Sequence, residues 1–228
     1  MRKLRAPFFE IGPKNYIFGN DVLKLAETAE KAAKEFDVDI LFTAPFLDLR
    51  AVVDQSERLF VLAPHMDELN PGRGITKILP ESVKAAGASG VMLNHAEHPV
   101  DFRTLKATVE RAKKLELLTV ICADSVAEAK AVAELHPTVI IAEPSELIGT
   151  GKTSDMNYIR ESTETIRQVD PEILVLQAAG VRTVDDVYRN IAAGADATGT
   201  TSGVVCAEDP HKTLTDMIRT VREAFDKR

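Results

Sequence analysis

The sequence predicts an α/β protein whose single domain, residues 1–228, is a closed (β/α)8 barrel. Short apolar runs alternate with longer amphipathic stretches along the whole chain, which is the pattern of parallel βα units. Eight such runs occur in 228 residues, so each unit has about 28 residues, and eight units favour a closed barrel over an open doubly wound sheet. No linker, low-complexity tract or composition shift marks a second domain.

The predicted strands are short runs rich in apolar and β-branched residues. Two of them, TVIIA at 138–142 and ILVLQ at 173–177, are almost continuously apolar. Such runs are typical of strands buried on both faces, as a parallel sheet requires. The eight predicted ranges are 7–12, 39–43, 59–63, 90–93, 118–122, 138–142, 173–177 and 195–200.

Helical patterns separate these runs. The stretch NDVLKLAETAEKAAKEF, residues 20–36, has apolar positions at helical spacing and Asn20 as its predicted N-cap. The stretch TVDDVYRNIAAG, residues 183–194, ends in Gly194, a natural residue just beyond a helix C-terminus. Similar patterns occupy 101–115, 125–135 and 209–225.

The composition excludes several classes of protein. The chain is 45% hydrophobic and 28% charged, with a formal net charge of -7, and it has no long Lys/Arg block, so we expect no nucleic-acid partner. The first residues have no apolar signal region and no window resembles a membrane span, which favours the cytoplasm. Cys122 and Cys206 make no disulfide framework, and we expect both to be reduced core thiols. No cofactor is expected.

Three ionisable residues follow predicted strands: Lys14 the first, His95 the fourth and Glu143 the sixth. Each has an ordinary explanation as a solvated lysine, a hydrogen-bonded structural histidine or a charge at a helix start. In a closed barrel, however, the carboxyl ends of all strands meet at one mouth, where such folds hold their chemistry. The sequence therefore predicts that the three side chains face one site.

Two loops of small residues suggest a phosphate site. Ala179 and Gly180 follow the seventh predicted strand, and Thr201, Ser202 and Gly203 follow the eighth. Loops seven and eight of this fold commonly bind phosphate through backbone N–H groups, which small residues leave accessible. The alternative is that the glycines only permit tight turns.

Four motifs together resemble triosephosphate isomerase in its compact archaeal-type form. They are IAEPSELIGTG, GVMLNHAEHP, KILPESVKAAGA and SGVVCAEDP. The resemblance implies a TIM barrel, a homodimer or homotetramer and a role in glycolysis. It also implies that Lys14 and His95 are catalytic, that Glu143 is the base, and that the carboxylate of Glu97 lies near the lysine.

The same resemblance implies the chemistry of an aldose–ketose isomerase acting on a short phosphorylated sugar. Glu143 would remove a weakly acidic proton beside a carbonyl, and His95 and Lys14 would stabilise the resulting enediolate. A lid that begins at Pro144 and includes Gly149 and Gly151 would exclude water, with Gly149 also contacting phosphate.

The chain departs from the family pattern around this site. The family's Asn two residues before the catalytic Lys is Gly12, and the Ser after the catalytic His is Ala96. Pro64 stands where the family has Gln, and Ala178 begins a loop that is usually Gly-Ala-Gly. Because the ionisable groups are retained, this pattern suggests a paralogue with another short phosphosugar as substrate.

Other functions remain open on the sequence alone. His65 and Asp67, with a nearby histidine, could hold a metal ion as in a ketose-phosphate epimerase, although this short pattern has low specificity and structural use is the simpler explanation. A Schiff-base aldolase would need a desolvated lysine at an inner strand end. A non-catalytic sensor would bind a phosphosugar through loops seven and eight without exchanging its hydrogens.

Overall fold

The computed structural model describes residues 2–147 and 155–228, and within them eight parallel strands close into one barrel. Each strand pairs with the next along the chain, and β1 also pairs with β8, so the ring has no free edge. This confirms the predicted (β/α)8 barrel. The strands are β1 Phe8–Ile11, β2 Asp39–Thr43, β3 Leu59–Ala63, β4 Gly90–Leu93, β5 Leu118–Ala123, β6 Val139–Ala142, β7 Leu174–Gln177 and β8 Ala197–Gly199.

Helices surround the barrel and return the chain from the end of one strand to the start of the next. The described helices are α1 Asn20–Phe36, α2 Leu49–Gln55, α3 Pro80–Ala85, α4 Phe102–Lys114, α5 Val126–Ala133, α6 Met156–Val169, α7 Val184–Ala192, α8 Ser202–Val205 and α9 Pro210–Asp226. None of these described helices is long and apolar enough to cross a membrane.

The core has two parts because alternate residues of each strand face opposite sides. On β1, Phe8 belongs to the cluster inside the barrel, whereas Phe9 belongs to the larger cluster between the strands and the helices. Both are fully buried. Burial on both faces is why the strand sequences are continuously apolar.

The predicted strand limits agree with the structure to within about two residues, and three strands agree at both ends. Two local predictions need correction. Asn20 is the first residue of α1 and does not cap it; the cap position is Gly19, with no side-chain hydrogen bond. Cys206 is exposed just after α8 and is not a core thiol, whereas Cys122 is buried as expected. Gly194 is confirmed just beyond the end of α7, with a φ of 111°.

Candidate active site

A cavity of about 750 Å³ lies at the carboxyl ends of the strands. Lys14, His95, Glu97 and Glu143 all line it. These residues come from loops after β1, β4 and β6, and the closed ring of strands brings the three loops together. The ionisable residues therefore converge on one cavity, as the sequence predicted.

Lys14 is held in an unusual backbone conformation. Its φ is 49°, in the left-handed region that residues other than glycine seldom adopt. Its ammonium Nζ lies 2.7 Å from Oε1 of Glu97, and the lysine side chain is only 27% exposed. The hydrogen bond and charge of Lys14 lower the pKa of Glu97, so this carboxylate stays ionised beside it. Conformations of this kind often mark functional sites.

The turn after β4 is fixed by the side chain of Asn94, which also has a positive φ, 56°. Its Nδ2 donates to the carbonyl of Cys122 and to Oε1 of Glu128, both at 3.0 Å. Its Oδ1 accepts the N–H of Val100 at 3.2 Å. All of its polar atoms are thus used to hold the turn that presents the next residue, His95, to the cavity.

His95 is held as a neutral imidazole. Its Nδ1 accepts the backbone N–H of Glu97 at 3.1 Å. Burial lowers the pKa of His95, and the positive charge of Lys14 lowers it further. A neutral ring that accepts at Nδ1 carries its proton on Nε2, which leaves Nε2–H as the available donor.

Glu143 follows the last residue of β6, and its N–H donates to the carbonyl of Ala123 at 3.0 Å. The next residue, Pro144, is buried. Burial raises the pKa of the Glu143 carboxyl to about 6, against the opposing effect of the Lys14 charge. The group is therefore ionised at neutral pH but is a stronger base than an exposed carboxylate.

The two small-residue loops lie beside this cavity, with some of their residues in its wall. Gly180, with a φ of 68°, Thr201 and Ser202 line the cavity, while Ala179 is buried behind it. The predicted contact at Gly149 lies outside the described residues.

Gly203 has a packing role that the sequence did not reveal. A Cβ atom at this position would lie 2.7 Å from the carbonyl oxygen of Val181 and 2.8 Å from Oγ1 of Thr200. Only glycine lets loops seven and eight approach this closely. The N–H of Gly203 already donates to Oγ1 of Thr200 at 3.2 Å, so a phosphate would have to share or replace that bond.

Comparison with known proteins agrees with this architecture. The family model described as triosephosphate isomerase matches residues 14–218. The chain is 35% identical over 221 residues to the triosephosphate isomerase of Methanopyrus kandleri, covering 94% of this chain and 98% of that protein. It is 34% identical over 203 residues to that of Methanobacterium bryantii, covering 88% and 89%, and 32% identical over 230 residues to that of Sulfolobus acidocaldarius, covering 99% of each.

The chain belongs to the triosephosphate isomerase family. This confirms the resemblance inferred from the four motifs, and membership places the chain among the intramolecular oxidoreductases that interconvert aldoses and ketoses.

Compared with the family pattern, the departures are concentrated in the cavity wall. Gly12, Pro64 and Ala178 line the cavity, whereas Ala96 does not and is exposed. A Cβ at Gly12 would lie 3.0 Å from Cβ of Thr43, so the family's Asn side chain could not enter unless Thr43 moved. The change at Gly12 is therefore coupled to the packing of its neighbour on β2.

His65 and Asp67 make contacts that favour structural use. Oδ1 of Asp67 lies 2.8 Å from the Nζ of Lys77, and Oδ2 accepts the N–H of Ile78 at 2.7 Å. The rings of His65 and His98 pack with their centroids 4.0 Å apart. Within residues 2–147 and 155–228, no cluster of three or more His, Cys, Asp or Glu residues is arranged to hold a metal ion.

A buried carboxyl group of the cavity was missed on the sequence. Glu10 is a buried carboxyl group on β1, and it lines the same cavity as Lys14 and Glu143. The signal was present in the run FFEIG, because Glu10 has the same strand parity as the inward-facing Phe8. A charged residue at an inward position of a barrel strand is unusual enough to predict a role in the site.

Proposed function

We propose that this protein isomerises a short phosphorylated sugar between its aldose and ketose forms, with Glu143 as the catalytic base. The observation on which the proposal depends is that Glu143 lines one cavity with His95 and Lys14 while burial raises its pKa to about 6. A base with a pKa near the working pH combines sufficient basicity with a large ionised fraction.

In the first step, the Glu143 carboxylate takes a proton from the carbon beside the substrate carbonyl. The electron pair of that C–H bond forms the carbon–carbon double bond of an enediolate, and negative charge develops on the carbonyl oxygen. The hydroxyl proton then passes to this oxygen, and return of the first proton to the neighbouring carbon completes the exchange of carbonyl and hydroxyl positions. No redox partner is needed, because one carbon is oxidised as the other is reduced.

The developing negative charge is stabilised by groups that are already in place. The proton on Nε2 of His95 can hydrogen-bond to the enediolate, and Lys14 supplies a positive charge held at 2.7 Å by Glu97. Donors that need no rearrangement during the reaction stabilise the transition state most effectively. A neutral imidazole is also a suitable partner because it does not give up its proton to the carbonyl too early.

For the phosphate of the substrate, we propose the backbone N–H groups of Gly180, Ser202 and Gly203, within the segments Ala179–Gly180 and Thr201–Gly203. Gly180 and Ser202 line the cavity, which supports the proposal. For Gly203 to bind the phosphate, its N–H must share the hydrogen bond that it now donates to Oγ1 of Thr200. We propose the same role for Gly149.

We also propose that the preferred substrate is a short aldose or ketose phosphate other than a triose phosphate. The changed residues Gly12, Pro64 and Ala178 line the cavity, which supports altered specificity. The test is to incubate C3 to C5 aldose and ketose phosphates with the enzyme in heavy water and to measure deuterium at the carbon beside the carbonyl. Glyceraldehyde 3-phosphate turned over near the diffusional limit would contradict the altered specificity, and exchange in none of the compounds would contradict the isomerase itself.

A homodimer or homotetramer is proposed as the assembly. Leu47 and Ile75, in loops after β2 and β3, are 99% and 103% exposed, and Phe18 is 81% exposed. Exposed apolar side chains in loops at the barrel mouth are often covered by a second subunit.

A further inference from the structure

Glu10 is a buried carboxyl group with only one hydrogen-bond partner among the described residues. It is 8% exposed, and its Oε1 accepts the hydroxyl of Thr43 at 2.7 Å. No hydrogen bond to a described residue involves Oε2. Because Glu10 lines the cavity, Oε2 is left to find its partner in a molecule that enters the cavity.

The other buried acidic residues of the described chain lie beside arginine or lysine side chains, although Oδ1 of Asp39 accepts no hydrogen bond. Oδ1 of Asp196 pairs with Arg167 at 2.9 Å, while its Oδ2 accepts the backbone N–H of Val175 at 3.0 Å. Glu30 likewise accepts backbone N–H groups and pairs with a lysine, and Asp39 lies among arginines. These carboxylates have structural roles, and they show how the fold satisfies a buried charge. Glu10 lacks both a paired cation and a backbone donor.

The surroundings of Glu10 form a notch in the floor of the cavity. A Cβ atom at Gly199 would lie 2.7 Å from the carbonyl oxygen of Glu10 and 3.2 Å from its Oε2, and a Cβ at Gly12 would lie 3.2 Å from its Oε1. Two glycines thus make room for this carboxyl group. The lining of the same cavity also includes the apolar side chains of Met92 and Ile141.

We propose that Glu10 is a substrate-binding residue whose Oε2 hydrogen-bonds to a hydroxyl group of the phosphorylated sugar. This inference rests on the proposed function, and it defines the substrate class as polyhydroxylated: one hydroxyl is bound at the floor while the phosphate is bound by loops seven and eight. Thr43 is the positioning residue, because its bond to Oε1 fixes the plane of the carboxyl group.

The electrostatics of the cavity suit this role. Burial raises the pKa of Glu10 to about 7, and the negative charge of Glu143 raises it as well. Glu143 ionises first, so at neutral pH a large fraction of Glu10 still has its proton while Glu143 is a carboxylate. A protonated carboxyl both donates and accepts a hydrogen bond, as a sugar hydroxyl also does, and it adds no negative charge near a phosphate dianion.

The test uses unreactive ligands, so that it does not depend on turnover. Binding of erythritol 4-phosphate, glycerol 3-phosphate and propyl phosphate is measured by calorimetry for the wild type, Glu10→Met, Glu10→Leu and Glu10→Gln. Met matches the length of Glu without its polar atoms, and Leu serves if the Met variant does not fold. Glu30→Gln is the matched control, because it alters a buried acid away from the cavity.

We expect the apolar variants to lose roughly 10- to 100-fold in affinity for at least one of the two polyol phosphates, the usual effect of losing such a hydrogen bond. Their affinity for propyl phosphate, which has no hydroxyl, should stay within about threefold of the wild type. Glu10→Gln should keep most of the affinity, and Glu30→Gln all of it.

Two results would overturn the inference in different ways. Equal losses for all three ligands, or no loss for any, would show that Glu10 does not bind a hydroxyl, while the proposed isomerase would stand. Failure of the wild-type protein to bind any of the three ligands would refute the phosphosugar site itself, and the inference with it.

Discussion

The backbone N–H of Glu97 donates a hydrogen bond to Nδ1 of His95 at 3.1 Å. One residue thus fixes both His95 and Lys14, because the side chain of the same Glu97 binds Lys14 at 2.7 Å. The backbone of Glu97 determines which nitrogen of His95 has the proton, and its carboxylate determines where the ammonium group lies.

This relationship predicts the protonation state of His95. At pH 6.5, the ordinary pKa of histidine, His95 should remain neutral with its proton on Nε2, because burial and Lys14 lower its pKa. Nitrogen-15 NMR of the imidazole ring distinguishes the two tautomers and the cation. In Lys14→Met, the pKa of His95 should rise. A doubly protonated His95 in the wild type at neutral pH would contradict the prediction.

Glu143→Gln should lower the rate of substrate hydrogen exchange by roughly 10²–10⁴, the usual contribution of a positioned general base. Gln keeps the shape of the side chain but cannot take a proton. Glu143→Asp should also be slow, because it draws the base back by one methylene group. The affinity for propyl phosphate should be unchanged in both variants.

The same two variants separate the alternative functions. A metal-dependent epimerase would lose activity with a chelator and tolerate Glu143→Gln. A sensor would show no exchange in the wild type and the same ligand affinity in both variants. Full exchange in Glu143→Gln would exclude this residue as the base.

The pH dependence of kcat/KM should follow the ionisation of Glu143. Its raised pKa of about 6 means that the base is present above this pH and is lost as the pH falls through it. We expect kcat/KM to decrease about tenfold for each pH unit well below pH 6. Because a sugar phosphate also titrates near pH 6, the binding of propyl phosphate over the same range is the control. A flat profile between about pH 4.5 and 7 would contradict the assignment.

Glu10→Gln should make the protein more stable above neutral pH. The folded protein holds the Glu10 proton up to about pH 7, whereas an ordinary glutamate loses it near 4.5. Between these values the folded state binds more protons than the unfolded state, so stability falls as the pH rises. The shift corresponds to about 3 kcal/mol at most. Urea unfolding at about pH 5 and pH 8 should show the gain only at the higher pH, and an equal gain at both would refute this explanation.

Ile75→Asp and Leu47→Asp should each weaken the proposed assembly. These side chains are almost fully exposed, and a charge at a buried apolar interface leaves an unpaired carboxylate. Sedimentation velocity should show smaller species than the wild type. Tyr188→Asp, on the outer face of α7 and 40% exposed, is the control and should not change the assembly. A wild-type protein that sediments as a monomer would refute the proposal directly.

The sequence was most informative where geometry follows from chain order. Residues after strands β1, β4 and β6 had to meet once the ring closed, so Lys14, His95 and Glu143 could be placed together before their distances were known. Side-chain contacts between distant segments could not be predicted in the same way. The bond of Thr43 to Glu10 and the approach of Val181 to Gly203 depend on how neighbouring strands and loops pack, which local patterns do not encode.

The two wrong local predictions, for Asn20 and Cys206, have a similar origin. Asn20 has a suitable side chain for a cap, but the chain enters α1 one residue earlier, through Gly19 with a φ of 60°. Cys206 lies in an apolar stretch of sequence, yet the short helix α8 ends just before it and turns it outward. In both cases the direction of the backbone, set by tertiary packing, decided the environment of the side chain.

The hydroxyl of Thr201 donates to the carbonyl oxygen of Gly12 at 2.8 Å, across 189 positions of the sequence. Together with the pairing of Glu10 with Gly199, it means that the notch in the cavity floor is built from opposite ends of the barrel sequence. During synthesis on a ribosome, helices such as α1 can form early, but the notch cannot exist until β8 has emerged. In a nascent chain, Glu10 therefore remains without its final surroundings until β8 has been made. The ability to bind a phosphosugar should appear late and abruptly as the chain lengthens.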